Sequence, residues 1–124
     1  MKVMKFVVVA MMLGSLVGTA RAEAPVDHYE RKPSATLAQA VANFSEYNAK
    51  LAALLEKKDL TPQELEAIHE ITYTLEVALQ KMNSDMARLA DTLERLHKAS
   101  ENHDAAGTRK HGASYLATAR TVVP

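Results

Sequence analysis

The sequence predicts an all-α protein: a long antiparallel helical hairpin followed by a third, shorter helix, bundle-like and completed by dimerisation or by a bend in the long helix. Three observations carry this. From Leu65, seam positions recur in alternating steps of three and four through Ile68, Thr72, Leu75, Leu79, Met82, Met86, Leu89, Leu93 and Leu96, which is coiled-coil spacing. Immediately ahead, Leu60-Thr61-Pro62-Gln63-Glu64-Leu65 is built to start a helix. Finally, the periodic segments before and after the long helix together match its length, so both fold back along it.

The chain opens with Lys2 and Lys5, an apolar run from Phe6 to Gly18, and Thr19-Ala20-Arg21-Ala22. Small residues at the two positions inspected by a signal peptidase predict a signal peptide of residues 1–22, cleaved after Ala22. The run is shorter than the roughly 20 residues needed to span a bilayer, so no stable membrane anchor is expected after cleavage. No cysteine is available for lipid, disulfides, thiolate metal sites, thiol catalysis or c-type haem attachment. Cleavage removes Lys2, Lys5 and Arg21 and leaves a formal net charge of −3. That balance argues against nucleic acid and against an anionic membrane surface as partners.

Residues 23–33 (EAPVDHYERKP) carry two prolines, several charges and no apolar period, which predicts a flexible N-terminal segment. Residues 34–122 form the single helical domain. Ser34 is suited to cap the first helix, and Leu37, Val41, Phe44, Asn48, Leu51 and Leu55 share a face that Ala40, Tyr47 and Leu54 widen. Lys57 and Lys58 suit its C-terminus.

In the second helix Thr61 can cap, Pro62 has the preset φ of a first helical position, Glu64 can return a hydrogen bond to Thr61, and Leu60 can pack on Leu65. Asn83-Ser84-Asp85 has the composition of a turn, but a break there would shift the seam's phase, and the phase holds. One helix to Glu101 is therefore expected, about 60 Å long. A third helix follows Asn102-His103-Asp104 with Asp104 as cap, and carries Thr108, Gly112, Tyr115, Ala119 and Val122 on one side. Gly107 and Gly112 weaken it by about 1 kcal/mol each. Its small residues suit either close packing or folding against a partner.

A molecule with the first and third helices laid end to end along the second is two helices thick at every level, too thin to bury so apolar a seam. Either a second chain supplies the missing layer, most simply as an antiparallel homodimer, or the long helix bends near Asn83 into a four-helix bundle. The expected partner is a second copy or another periplasmic protein.

Candidate chemistry is sparse. His69-Glu70-Ile71-Thr72-Tyr73 has the start of a zinc-protease motif, but Tyr73 stands where the second histidine belongs. Glu66-Ala67-Ile68-His69 and Glu94-Arg95-Leu96-His97 repeat the Glu-x-x-His spacing of di-iron bundles. They lie about 42 Å apart on one straight helix, and their side chains fall on the flank or outer side of the seam. His97, His103, Asp104 and His111 bracket the second turn, a donor set suited to zinc, copper or nickel. Met82 and Met86 sit in the seam and read as core. No nucleophile elbow, phosphate loop or paired buried carboxylates occur, so neither an enzyme nor a cofactor is expected.

His28-Tyr29-Glu30, Lys32-Pro33-Ser34, Ala40-Val41-Ala42-Asn43-Phe44-Ser45-Glu46-Tyr47-Asn48, His69-Glu70, Thr72-Tyr73-Thr74-Leu75-Glu76 and Leu96-His97-Lys98-Ala99-Ser100-Glu101 resemble a family of small exported proteobacterial helical proteins, a domain of unknown function. The resemblance spans nearly the whole mature chain. It implies export to a Gram-negative periplasm and brings no activity, ligand or site residue. Leu60-Thr61-Pro62-Gln63 is also similar to the Leu-Thr-x-x-Gln turn of periplasmic stress chaperones of the Spy and CpxP kind. Size and a late histidine resemble haem-binding four-helix cytochromes, although the first helix here lacks the methionine ligand. A binding or structural module is therefore the leading expectation, with a metal- or haem-binding bundle and a stress chaperone as alternatives.

Overall fold

The structure, a computed structural model, describes residues 30–124. The signal peptide expected for residues 1–22, and the part of the 23–33 segment ahead of Glu30, lie outside the described residues. Those described contain three helices and no strand: α1 Leu37–Leu55, α2 Pro62–Glu101 and α3 Ala105–Val122.

α2 starts where the local chemistry demands. The Thr61 hydroxyl accepts from the Glu64 amide at 3.3 Å, and the Glu64 carboxylate accepts from the Thr61 amide at 2.7 Å. This reciprocal pair satisfies two amides that would otherwise lack partners. Pro62 follows as the first helical residue, and Lys57, from the preceding turn, pairs with Glu64. The helix then runs its 40 residues unbroken through Asn83, as the constant phase of the seam predicts.

Its other end is closed by a Schellman motif. The Asp104 amide reaches the Ala99 carbonyl at 2.9 Å and the His103 amide reaches Ser100 at 3.1 Å. The motif needs a left-handed residue, and His103 occupies that place with φ 58°. A non-glycine residue is strained there, so His103→Gly is expected to stabilise the fold by about 1 kcal/mol, raising the midpoint of thermal denaturation by about 4–8 °C. An unchanged or lower midpoint would contradict this geometry.

Asp104 then caps α3, accepting from the Gly107 amide at 2.9 Å. Gly107 serves that cap, since a Cβ there would stand 2.2 Å from the Asp104 carboxylate. At Gly112 the nearest atom to such a Cβ is a Leu96 methyl at 3.7 Å, an ordinary contact.

α1 departs from expectation at both ends. Thr36, not Ser34, caps it, accepting from the Gln39 amide at 3.2 Å. Ser34 is buried instead, because the Asn43 side-chain amide donates to its hydroxyl and to the Pro33 carbonyl, each at 3.0 Å. These bonds hold the incoming chain against α1 and delay the helix by two residues. The last helical residue is Leu55 rather than Lys58; the amides of Glu56 and Lys57 close the turn on Ala52 and Leu54. Upstream, the Lys32 amide donates to the Thr74 hydroxyl at 3.2 Å and its ammonium meets Glu46 at 2.7 Å, so residues 30–36 lie as a strap along α1 and α2.

α1 packs on the first half of α2 and α3 on the second, with little contact between α1 and α3. The start of α1 and the end of α3 come together over the middle of α2. The molecule is thus two helices thick along its length, and α2 does not fold over into a four-helix bundle.

The core side of α2 differs from the expected seam. Its buried residues are Ile71, Thr74, Ala78, Asp85 and Leu89, and those of α1 are Ala40 and Asn43. Of the seam, only Leu89 is buried. The physical reason is closeness: Ala40, Thr74 and Ala78 are small, so α1 and α2 approach along that side, and the larger side chains turn away.

Candidate functional site

The side of α2 turned away from its neighbours carries the most distinctive surface. Leu65, Thr72, Leu79, Met86 and Leu93 follow one another at intervals of seven. Seven residues fall about 20° short of two full helical turns, so the row drifts slowly and stays on one side for about 42 Å. Leu65 is 54% exposed, Leu79 45%, Met86 43% and Leu93 45%, with Thr72 half-buried between them. Ile68, Leu75 and Met82 are half-buried alongside. Leu55 at the end of α1 and Leu116 on α3 are exposed as well.

This face was read from sequence as core, and Met86 with it; the structure places Met86 on the surface. The signal available in advance was the split within the seam itself. One of its two heptad rows reads Leu, Thr, Leu, Met, Leu and stands outward. The other, Ile68, Leu75, Met82, Leu89 and Leu96, leans toward α1 and α3.

The candidate metal residues do not converge. Among the described residues no three side chains of His, Cys, Asp or Glu are grouped to hold an ion. Glu66 and His69 are exposed near the start of α2, with the His69 ring edge-on to Tyr73 at 5.0 Å and its Nε2 3.2 Å from the Tyr73 hydroxyl. Glu94 and His97 are exposed near the other end: Glu94 pairs with Lys98 at 3.2 Å, and His97 stands 3.8 Å from Glu101. His103 is committed by its backbone to the turn, and His111 is half-buried on α3.

A second feature is an open groove of about 830 Å³ where α1 and α3 meet over α2, bordered by Leu37, Lys81, Asp85, Arg88, Thr92 and Thr121. Asp85 is buried, yet Lys81 lies 3.0 Å away and Arg88 also pairs with it. Lys81 first, then Arg88, hold its carboxyl below the usual range against the opposing effect of burial. The pairs lie within one turn of α2, so this acid is neutralised by its own helix.

Two further carboxylates secure the loops. Glu46, bridged by Lys32 and Lys50, and Glu64, held by Lys57 and by the amide and hydroxyl of Thr61, are each lowered to about 2. A carboxyl whose folded pKa lies below its unfolded value contributes stability that is complete above the unfolded value and lost as pH falls through the folded one. Thermal midpoints are therefore expected to hold steady from neutrality to about pH 5 and to fall between about pH 4.5 and 2. Because these pairs are exposed, about 1 M salt should flatten the fall. A midpoint that rises on acidification would contradict these pairings.

Two hairpins sharing one long helix make this an all-α protein whose accessible chemistry lies on helix faces rather than in loops. Over residues 1–124 the sequence matches the model of a family of unknown function (DUF6746), and the chain belongs to that family. No curated protein and no solved structure matches it. Among the described residues no helix is long and apolar enough to cross a membrane.

Proposed function

We propose that the chain is an exported, periplasmic, non-enzymatic binding module that engages a protein partner through the outward face of α2. One observation carries the reading: four large apolar side chains, Leu65, Leu79, Met86 and Leu93, stand about half exposed in a single line. The described chain buries only Ala40, Ile71, Ala78 and Leu89 as its apolar core. A chain that hides so little while displaying an ordered apolar line has placed its best contact surface outside itself.

The test is a photoreactive phenylalanine analogue placed at Leu79 or Leu93 and irradiated in living cells. A discrete covalent protein adduct is expected, and none from the same group at exposed Glu66, which lies off the row. Failure of both row positions to yield an adduct would remove the reading. Export is checked on the same preparation: the purified protein should begin at Glu23. Stoichiometric iron, zinc, copper or haem in native mass spectra would instead favour the metal-binding alternative. Adducts spread over many unfolded clients would favour the chaperone one.

A further inference from the structure

Resting on that reading, we infer that Met86 is an oxidation site: a peroxide converts its thioether to the sulfoxide and switches off the outward row of α2, while the helical scaffold stays intact. After residue 22 the chain holds only two sulfur atoms, those of Met82 and Met86, and no cysteine competes with them for an oxidant. Both lie on α2, four residues apart, so they are neighbours on its surface.

Their surroundings differ. Met86 stands exposed in the outward row, between Leu79 and Leu93. Met82 belongs to the row that leans toward α1 and α3, and it is half-buried. Oxidation of a methionine follows its exposure, so Met86 reacts first.

The step is a two-electron oxygen transfer. The sulfur lone pair attacks one oxygen of hydrogen peroxide, an S–O bond forms as the O–O bond breaks, a proton passes to the departing oxygen, and water leaves. Sulfur is oxidised and the peroxide is reduced. The product is polar and chiral where an apolar group stood. At Met86 the new oxygen is hydrated, so a single chain keeps its fold. Against an apolar partner surface the same oxygen loses its water without gaining a donor, and the row is interrupted between Leu79 and Leu93. At Met82 a sulfoxide would instead enter the side of α2 that leans on its neighbours and loosen the scaffold. Reversal takes two electrons and two protons from a dithiol, which becomes a disulfide as the oxygen leaves in water; methionine sulfoxide reductases catalyse this, one enzyme for each epimer.

The first measurement treats dilute processed protein with rising hydrogen peroxide. Cleavage after Lys81 and Arg88 releases residues 82–88, which hold both sulfurs, and fragment masses then assign each added oxygen. The first oxygen should appear on Met86, with far-UV circular dichroism and thermal midpoint unchanged in the singly oxidised protein. Met82→Leu should take up its one oxygen as fast as the unsubstituted chain takes up its first, and Met86→Leu about threefold more slowly or less. The second measurement uses cells carrying the photoreactive group at Leu79. Peroxide given before irradiation should cut the adduct about tenfold, whereas with Met86→Leu added the yields with and without peroxide should be equal. Oxidation of Met82 first, or a loss of adduct that persists in Met86→Leu, overturns the inference. An adduct that forms in untreated cells and ignores peroxide overturns the switch alone; no adduct in untreated cells overturns the binding reading and the switch with it.

Discussion

Leu89→Ala is expected to cost about 2–5 kcal/mol and to lower the thermal midpoint by more than about 10 °C. Leu89 is one of two large apolar side chains buried in the described chain, Ile71 being the other. It lies where the first turn of α1 and the last turns of α3 meet α2. Removing it leaves a void under the one place where all three helices come together, and the remaining core has little with which to refill it. Thermal denaturation followed by far-UV circular dichroism provides the measurement. A loss below about 1 kcal/mol would mean that this junction is not packed as described.

Ala78→Leu is expected to cost about 1–3 kcal/mol through overpacking. Ala78, like Ala40 on α1, has no exposed surface, and a leucine there must push the helices apart. Its neighbour in sequence is the control. Leu79→Ala removes a larger side chain yet should cost only about 1 kcal/mol or less in protein dilute enough to be monomeric, since Leu79 is already half in water. The expected seam gives the opposite order, with position 79 sensitive and position 78 tolerant. Chemical denaturation of the two variants side by side decides which side of α2 faces inward.

Local chemistry made the helix boundaries of α2 and α3 readable in the sequence. Thr61, Pro62 and Glu64 act within one turn, Asp104 reaches only to Gly107, and a constant seam phase forbids a break at Asn83. None of these depends on distant contacts. The start of α1 was harder, because Ser34 and Thr36 are both good caps and the choice is made by Asn43, nine residues beyond Ser34. The inward side of α2 was harder still. Periodicity weighs bulk, so it favours Leu65, Leu79 and Leu93, whereas close helix packing here uses Ala40, Thr74 and Ala78, whose merit is that they are small. Asn43 and Asp85 are buried polar residues satisfied by partners that only the folded chain brings near. His69 and His97 stand toward opposite ends of the one 40-residue helix, which keeps them apart.

The same layout divides the molecule's resistance to opening. α3 buries no residue fully, touches α1 little and hangs on the second half of α2. It can therefore swing free without disturbing the first hairpin, whose contact with α2 contains Ile71, Thr74 and Ala78. Amide hydrogens of α3 should exchange with solvent through this partial opening, well ahead of those between residues 71 and 78. One half of the common spine thus loses its cover in local openings well before the chain unfolds as a whole.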